Sequence, residues 1–266
     1  MMRVSIATVV LNARDGLLKT LDSVRQNRCE GLEYIVVDGG STDGTLDVIH
    51  ANEQDIDRWI SEGDRGVSHA FNKALGMTTG DIIGILNAGD WYNPDTIACV
   101  LEAFDRHPDV DVVCGAVEFW EHGKALLHCR SNPEALDRET SVYHPTVFVR
   151  KKSYSTYGVF DETYRYAMDY ELLLRLNRQG AKFMALESTL ANMDLEGLSY
   201  TNWYKALKEV RNARSKYFPL YNTCYYHFLA IVKNITARAL KIVGLRSVYQ
   251  SYWQSKNQRI TAIPGR

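Results

Sequence analysis

The segment at residues 34–45, YIVVDGGSTDGT, limits most strongly what this 266-residue chain can fold into. Its first four residues are apolar and strand-forming without alternation, which is typical of a strand buried on both faces of a helix-covered parallel sheet. Asp38 and two glycines follow at once, and then a Ser-Thr-Asp run that can cap a helix. We therefore predict a carboxylate at the carboxyl end of a central strand, the edge where open α/β sheets bind ligands.

Strand and helix patterns alternate over the first ninety residues, with short connections between them. Continuous apolar runs predict buried strands, and apolar residues at helical spacing predict helices. The predicted strands are residues 4–11, 34–38, 57–60 and 81–86, and the predicted helices are residues 15–27, 45–51 and 67–76. This alternation predicts a doubly wound, mostly parallel α/β sheet flanked by helices.

The alternation stops after Pro94, where the spacing of strands becomes that of a hairpin and predicts an antiparallel addition. Gly180 would follow the helix at 168–179, a position that glycine commonly occupies at helix ends. The predicted elements are a helix to about residue 106, strands near 110–119, 125–130 and 147–149, and a helix at 168–179.

Charge divides the chain into two parts that the total of −1 conceals. Residues 201–266 contain six Lys, six Arg and a single acid, Glu209, which gives +11, whereas residues 1–200 carry −12. We predict a main domain at 1–200 and a helical extension at 201–266. Residues 202–216 and the apolar rhythm that starts at Phe228 predict basic amphipathic helices, which suit an anionic membrane surface. Packing on the main domain or on another subunit is the alternative, and the net charge favours the membrane slightly.

Cysteine usage and the first residues of the chain indicate a cytoplasmic protein. The five cysteines are scattered, with no CxxC pair and no Cys/His cluster, so neither a disulfide framework nor a zinc site is predicted. The first residues do not have the pattern of a signal peptide. We find no apolar run near the 18 residues that a membrane-spanning helix needs.

Acidic residues follow three predicted strands: Asp38, Asp64 and Asp90. A single aspartate in a turn is most often a turn or capping residue. Three of them at one edge of a parallel sheet predict a shared cleft. The chain has LNARDG where a dinucleotide fold needs GxGxxG, and it contains no P-loop string. A divalent metal held by carboxylates is therefore the predicted way to bind phosphates.

Five sequence strings together resemble the family 2 inverting glycosyltransferases of the GT-A fold, over about residues 3–200. Within that family the chain is most similar to bacterial enzymes of extracellular polysaccharide, colanic acid or O-antigen synthesis. The strings are TVVLN at 8–12, VVDGGSTDGT at 36–45, SEGDRG at 61–66, ILNAGDW at 85–91 and MDYELLLRL at 168–176.

The resemblance implies roles for named residues of this chain. Asp38 would accept hydrogen bonds from the base, usually uracil, and Asp90 would hold Mn²⁺ or Mg²⁺ against the diphosphate. Asp169 would be the general base, with His144, Tyr170 and Glu171 on the acceptor side. The other implied nucleotide-sugar contacts are Thr8, Val10, Asn12, Gly40, Ser41, Asp64, Arg65, Asn72, Lys73, Asn87, Ala88 and Gly89.

These residue types suit an inverting transfer, which is a single in-line displacement by an acceptor hydroxyl. A carboxylate takes the proton of that hydroxyl, and a metal stabilises the departing diphosphate. We therefore predict a metal-dependent transferase that moves a sugar from a nucleotide-diphosphate donor, most often UDP, to a glycan or lipid-linked acceptor. The predicted setting is bacterial surface polysaccharide synthesis at the inner face of the cytoplasmic membrane.

The sequence departs from the family pattern at three positions. Gly89 stands where many relatives have a second acid, and Leu11 and Phe71 stand where relatives often have Tyr and Arg. Two alternatives stay open: a non-catalytic sugar-nucleotide-binding or scaffold protein, and a sugar-1-phosphate nucleotidyltransferase. The latter would need a Gly- and Arg-rich loop after the first strand, which residues 11–13 do not supply.

Overall fold

The computed structural model describes residues 2–194, 202–242 and 260–261. Its first part contains four parallel strands and three helices. They are β1 (Val4–Val10), α1 (Arg14–Gln26), β2 (Leu32–Asp38), α2 (Thr45–Ala51), β3 (Arg58–Ser61), α3 (Val67–Met77) and β4 (Ile82–Ile85). β1 lies between β2 and β4, and β3 lies outside β2. The turns after β2, β3 and β4 therefore share the carboxyl edge of the sheet.

The second part extends the same sheet. Its elements are β5 (Trp91–Tyr92), α4 (Thr96–Arg106), β6 (Val112–Glu121), β7 (Lys124–Arg130), β8 (Phe148–Arg150), α5 (Lys151–Tyr157), α6 (Met168–Arg178) and β9 (Phe183–Asp194). β8 pairs antiparallel with both β4 and β6, and it thereby joins the two parts. β6 and β7 form the predicted hairpin, and β9 runs parallel to β6 while also pairing with β5.

Each central strand supplies side chains to two hydrophobic cores, which explains its unbroken apolar run. In β2, Ile35 and Val37 pack in the core that contains Phe71 of α3 and the leucines of α6. Tyr34 and Val36 pack on the opposite face, with the buried residues of α1 and α4. Burial on both faces confirms the prediction of a helix-covered parallel sheet.

The predicted elements agree closely with the structure. Every predicted strand and helix through residue 179 has both ends within two residues of the observed ones. Gly180 follows α6 in the left-handed region, with φ +93°, as predicted for a residue after a helix end. The sequence patterns do not predict β5, α5 or β9. β9 is half-exposed and rich in polar residues, so its extended form depends on pairing with β6 and β5.

The described part of the C-terminal extension consists of two helices and a short strand. They are α7 (Trp203–Ser215), α8 (Leu220–Ile242) and β10 (Ile260–Thr261), which pairs with β7. α7 packs on α6 and on α8, so it covers the main domain directly. No helix in the described ranges has the length and apolarity to cross a bilayer. The division at residue 200 stays a prediction.

Candidate active site

The turn after β2 is built around the carboxylate of Asp38, which is fully buried. Its Oδ2 accepts the backbone N–H groups of Gly40 and Ser41, each at 3.0 Å, and the Ser61 hydroxyl at 2.6 Å. Its Oδ1 accepts the Ser41 hydroxyl at 2.5 Å. Asp38 therefore organises the turn and ties it to the end of β3.

The loop after β1 is attached to this turn. Asn12 has φ +49°, and its backbone N–H donates to Ser41 Oγ at 2.8 Å. Its side-chain Oδ1 accepts the Thr42 N–H at 2.8 Å. Asn12 is exposed, whereas Thr8 and Val10 are buried within β1. The base-binding roles of these three residues stay predictions.

The turn after β3 lies beside the turn after β2. A side chain at Gly39 would come within 3.0 Å of Asp64 Oδ2, so the two turns are in contact. Asp64 forms an ion pair with Lys73, and His69 lies 3.4 Å from the same carboxylate. Lys73 also reaches Glu62 at 3.2 Å. The structure thus brings Asp38 and Asp64 together, as the strand order predicts.

Arg65 and Asn72 bind the chain that leads to α6. Arg65 pairs with Glu162 at 2.9 Å. Asn72 donates to the Phe160 carbonyl at 2.9 Å and accepts the Phe160 N–H at 3.0 Å, so it binds both backbone polar groups of Phe160. In this structure both residues position the segment before α6, and their predicted nucleotide contacts are untested.

The turn after β4, Asn87-Ala88-Gly89-Asp90, packs on the start of α1. Gly89 has φ +103°, a conformation that L-residues with side chains rarely adopt. Its N–H donates to the Gly16 carbonyl at 3.1 Å, and the Thr20 hydroxyl donates to the Asp90 carbonyl at 2.7 Å. The backbone of this turn therefore favours glycine at position 89, where the resemblance leads one to expect a second acid.

Asp90 is buried beside a second carboxylate that the sequence patterns do not reveal. The backbone N–H of Asp194, the last residue of β9, donates to the Asp90 carboxylate. The Lys19 ammonium interacts with both carboxylates and lies 3.1 Å from the centre of the Trp91 ring. The pKa of Asp90 is raised to about 8, chiefly by burial and also by the charge of Asp194, while the Asp194 N–H and Lys19 oppose the rise. Neither Lys19 nor Asp194 belongs to a motif, so only the fold brings them to Asp90.

The donor set at this turn fits a divalent cation that shares its coordination with a phosphate ligand. The described residues hold no group of three or more His, Cys, Asp or Glu able to bind a metal unaided. Asp90 and Asp194 nevertheless supply two carboxylates, and Mg²⁺ is commonly bound by one or two carboxylates together with substrate phosphates. Asn87 adds a buried side-chain oxygen that has no hydrogen-bond partner among the described residues.

Asp169 lies in the first turn of α6, at the same sheet edge. It shares a small cavity of about 20 Å³ with His144 and with Ile85, the last residue of β4. The His144 ring stacks on Phe71 at 5.1 Å, and its Nε2 is buried without a hydrogen-bond partner in the described ranges. Burial lowers the pKa of His144, and the negative charge of Asp169 opposes that change.

The other two residues assigned to the acceptor side are buried in α6. The Tyr170 hydroxyl donates to the Leu136 carbonyl at 2.7 Å. Glu171 is only 1% exposed, and it pairs with Arg175 at 3.1 Å and with Lys216 at 3.4 Å. The structure therefore gives both residues protein partners within the fold. Their contact with an acceptor stays a prediction.

Solved structures with this fold include two complexes with sugar nucleotides. Mannosyltransferase PcManGT from Pyrobaculum calidifontis, in complex with GDP-Man and Mn²⁺, matches with a TM-score of 0.65 and 19% identity, over 96% of this chain and 76% of its own. Staphylococcus aureus TarS 1–349, in complex with UDP-GlcNAc, matches with a TM-score of 0.63 and 17% identity, over 80% of this chain and 66% of its own. These matches show that the fold is that of the GT-A glycosyltransferases.

Sequence comparison identifies the family. The PGL/p-HBAD biosynthesis glycosyltransferase of Mycobacterium bovis is 31% identical over 178 residues, which is 64% of this chain and 68% of that relative. The model of the family described as "Glycosyl transferase family 2" matches residues 5–175, well over half of the chain. The chain therefore belongs to glycosyltransferase family 2.

Proposed function

We propose that this glycosyltransferase moves a sugar from a nucleotide-diphosphate donor to an acceptor hydroxyl with inversion of the anomeric configuration. The observation that carries the proposal is that two separate carboxylate sites lie at the carboxyl end of β4. Asp90, beside Asp194, follows the strand, and Asp169 shares a cavity with its last residue. The Asp90 and Asp194 pair suits a metal-bound diphosphate, and Asp169 suits the removal of the acceptor proton.

In this mechanism the acceptor oxygen forms a bond to the anomeric carbon while its proton passes to Asp169. The bond from that carbon to the diphosphate oxygen breaks, and the leaving group departs from the opposite face. Asp90 and Asp194 would hold a Mn²⁺ or Mg²⁺ ion, which neutralises charge on the departing diphosphate when it is bound. Lys19 lies beside both carboxylates and balances their charge in the protein itself.

We place the base of the donor at the turns that follow β1, β2 and β3. Asp38 already has four donors, but two of them are the Ser41 and Ser61 hydroxyls, which can rotate away. A base N–H could then replace a hydroxyl, while the two backbone amides keep the carboxylate in place. A UDP donor is our proposal, supported by the UDP-GlcNAc complex of a protein with the same fold.

We propose a glycan or lipid-linked acceptor in bacterial surface polysaccharide synthesis, with the enzyme peripheral at the inner face of the cytoplasmic membrane. The support is an exposed apolar stripe on α8, formed by Tyr221, Tyr225, Phe228, Val232 and Ile235, which are 43–78% exposed. All exposed residues between 220 and 240 are apolar, aromatic or cysteine. Such a helix face suits the headgroup region of a bilayer.

Basic residues border this stripe and indicate which surface would cover it. Lys205, Lys208 and Arg211 are exposed at helical spacing on α7. The Arg211 guanidinium lies 3.8 Å from the sulfur of Cys224, an exposed residue of α8. The basic row and the apolar stripe are therefore contiguous. We propose an anionic lipid surface as the partner of both.

Replacing Asp169 by Asn tests the proposed chemistry. The amide keeps the shape of the carboxylate but cannot take the acceptor proton, so transfer should fall by at least about a hundredfold. Donor affinity, measured by calorimetry with UDP- and GDP-sugars, should stay nearly constant. Asp105→Asn, at an exposed position of α4, is the matched control.

Three outcomes would contradict parts of the proposal. Retained turnover in Asp169→Asn would remove this residue from the role of base. A product with the anomeric configuration of the donor, read by NMR, would exclude inversion. A folded wild-type protein that binds donors but never releases sugar from them would support the non-catalytic alternative.

A further inference from the structure

Glu209, the one acidic residue of the C-terminal extension, binds the turn that begins the helix of Asp169. Its carboxylate accepts three successive backbone N–H groups. Oε2 accepts Arg165 at 3.0 Å, Tyr166 at 2.7 Å and Ala167 at 2.9 Å, and Oε1 accepts Arg165 at 3.1 Å. Ala167 immediately precedes α6, and Asp169 is the second residue of that helix.

This contact supplies charge-assisted hydrogen bonds to the three residues that lead into α6. The residue before the helix, Ala167, has no side chain that could cap it, and within the first turn the Asp169 carboxylate accepts the Tyr170 N–H at 2.8 Å. Successive amides that point to one place form a binding site for an anion, and a carboxylate binds them more strongly than a neutral acceptor does. Glu209 therefore fixes the backbone of residues 165–167, and with it the direction in which the first turn of α6 leaves the loop.

Other contacts of α7 and the residue after it hold the chain on either side of this turn. Lys216 pairs with Asp161 at 3.2 Å and with Glu171 at 3.4 Å. Arg214, 2% exposed, donates to the Asp137 carbonyl and interacts with Tyr170. The C-terminal extension thus binds the approach to α6 and the side chains that flank Asp169.

Helix α3 holds this approach from the other side. Asn72 binds the backbone N–H and carbonyl of Phe160, and the Ser68 hydroxyl donates to the Tyr164 carbonyl at 2.5 Å. Residues 160–167 therefore run between α3 of the main domain and α7 of the extension. Removal of either set of contacts leaves the segment attached on one side only.

We propose that Glu209 is a positioning residue for Asp169, and that the extension thereby sets the geometry of the catalytic base. The inference rests on the proposed function, in which Asp169 takes the acceptor proton. Glu209 bonds to backbone amides of residues 165–167, so its loss should misplace the base without disturbing the donor site. Displacements near 1 Å at a reacting group can reduce rates about a hundredfold.

The test compares Glu209→Ala and Glu209→Gln in the full-length protein. The alanine variant leaves the three amides without their acceptor, and its kcat should fall at least tenfold with donor KM and donor affinity changed less than twofold. The glutamine variant keeps a neutral acceptor and should lie between alanine and wild type. Glu102→Gln, an exposed residue of α4 paired with Arg106, is the matched control and should match wild type.

The controls separate a positioning role from a loss of folded protein. Calorimetry with the donor gives the fraction of binding-competent molecules, and kcat is expressed per competent site. A kcat per site equal to wild type in both Glu209 variants would overturn the inference, as would a parallel loss of donor affinity. Asp169→Asn tests the proposed function separately. Retained transfer in that variant would show that Asp169 is not the base, independently of the result for Glu209.

Discussion

At the scale of single residues, Asp90 combines two properties that bear on cofactor binding. It is buried next to Asp194, and its pKa is raised to about 8 because burial disfavours its charge. A protonated carboxyl is a poor metal ligand, so a cation must displace the proton to bind. The affinity of this site for Mn²⁺ should therefore increase as pH rises towards 8.

Replacing Asp90 by Asn should remove the metal response. The amide has no negative charge to offer a cation, so the added thermal stabilisation by donor plus Mn²⁺, relative to donor alone, should disappear. The metal-dependent gain in donor affinity should fall by at least about tenfold, with a smaller loss for Asp194→Asn. Thermal melts with UDP- and GDP-sugars, with and without Mn²⁺, between pH 6 and 8.5 measure this. An unchanged response in Asp90→Asn would exclude it as a ligand.

Glu33 has the opposite electrostatic character, at the amino edge of the same sheet. Its carboxylate accepts the Ser5 hydroxyl at 2.5 Å and the Thr79 N–H at 2.8 Å, and it pairs with Arg58. It therefore links β1, β2, β3 and the segment before β4. Burial alone would raise the pKa of Glu33, but these hydrogen bonds outweigh it and lower the pKa to about 2.

Replacing Glu33 by Gln should reduce the free energy of unfolding by on the order of 2–3 kcal/mol at pH 7. The native pKa lies below the unfolded value near 4.5, so the contribution of Glu33 is complete above pH 4.5 and is lost as pH falls towards 2. Urea unfolding of both proteins from pH 7 to pH 3 should show the two curves converging. A difference that is constant with pH would indicate a packing effect rather than a charge effect.

At the scale of elements, the strands that form the sheet differ in how far their sequence defines them. β1 and β2 are buried on both faces, so their composition alone predicts them. β9 carries Glu, Ser, Thr, Asn and Asp, and most of its positions are half-exposed or exposed, so neither periodicity nor propensity marks it. Its partners β5 and β6 define it, and those pairings carry Asp194 to Asp90. The element that completes the candidate metal site is therefore one that the sequence patterns do not predict.

Helix α8 also has a face that its own sequence predicts and a face that depends on the fold. Two of its basic residues have protein partners: Lys233 pairs with Glu139 at 3.2 Å, and the Arg238 guanidinium lies over the Trp203 ring. The charges of these two residues, which the amphipathic pattern assigns to lipid binding, therefore interact within the protein. The basic row that borders the apolar stripe belongs to α7 instead.

The apolar stripe of α8 should bind anionic vesicles. Wild type should cosediment with vesicles of phosphatidylcholine and phosphatidylglycerol more than with phosphatidylcholine alone. Phe228→Ser should weaken binding roughly tenfold, since an aromatic side chain buried in the interface contributes about 1.5–3 kcal/mol. Val159→Ser, at a 46% exposed apolar position elsewhere, is the control. Failure to bind vesicles, together with dimers that Phe228→Ser abolishes, would assign the stripe to a subunit interface.

At the scale of the whole molecule, the extension is part of the main hydrophobic core. Ala213 of α7 is fully buried in this core, and Val210, Tyr217 and Phe218 pack against the core. The buried guanidinium of Arg214 is bonded to main-domain and extension atoms. Charge asymmetry predicts a main domain and an extension, and burial shows that α7 of the extension packs on the main core.

A chain that ends at residue 200 should therefore be destabilised and inactive. It would expose the apolar side of α6 and lose Glu209, Arg214 and Lys216 together, so its melting temperature should fall by at least about 5 °C. Calorimetry and activity of the truncated and complete chains measure both effects. A truncated protein with wild-type melting temperature and kcat would support the predicted division at residue 200 and would contradict the role of Glu209.

The amino-acid sequence by itself determined the local features of this protein: which segments form the buried strands, and which carboxylates stand at their ends. Hydrophobic period and turn chemistry are local properties, so Asp38, Asp64 and Asp90 could be singled out without a structure, and the family resemblance added Asp169. The tertiary structure alone decided which distant groups meet them. Asp194 lies about a hundred residues from Asp90, and Glu209 about forty from the turn it binds. Periodicity shows which face of an element is buried, but only packing decides what that face is buried against.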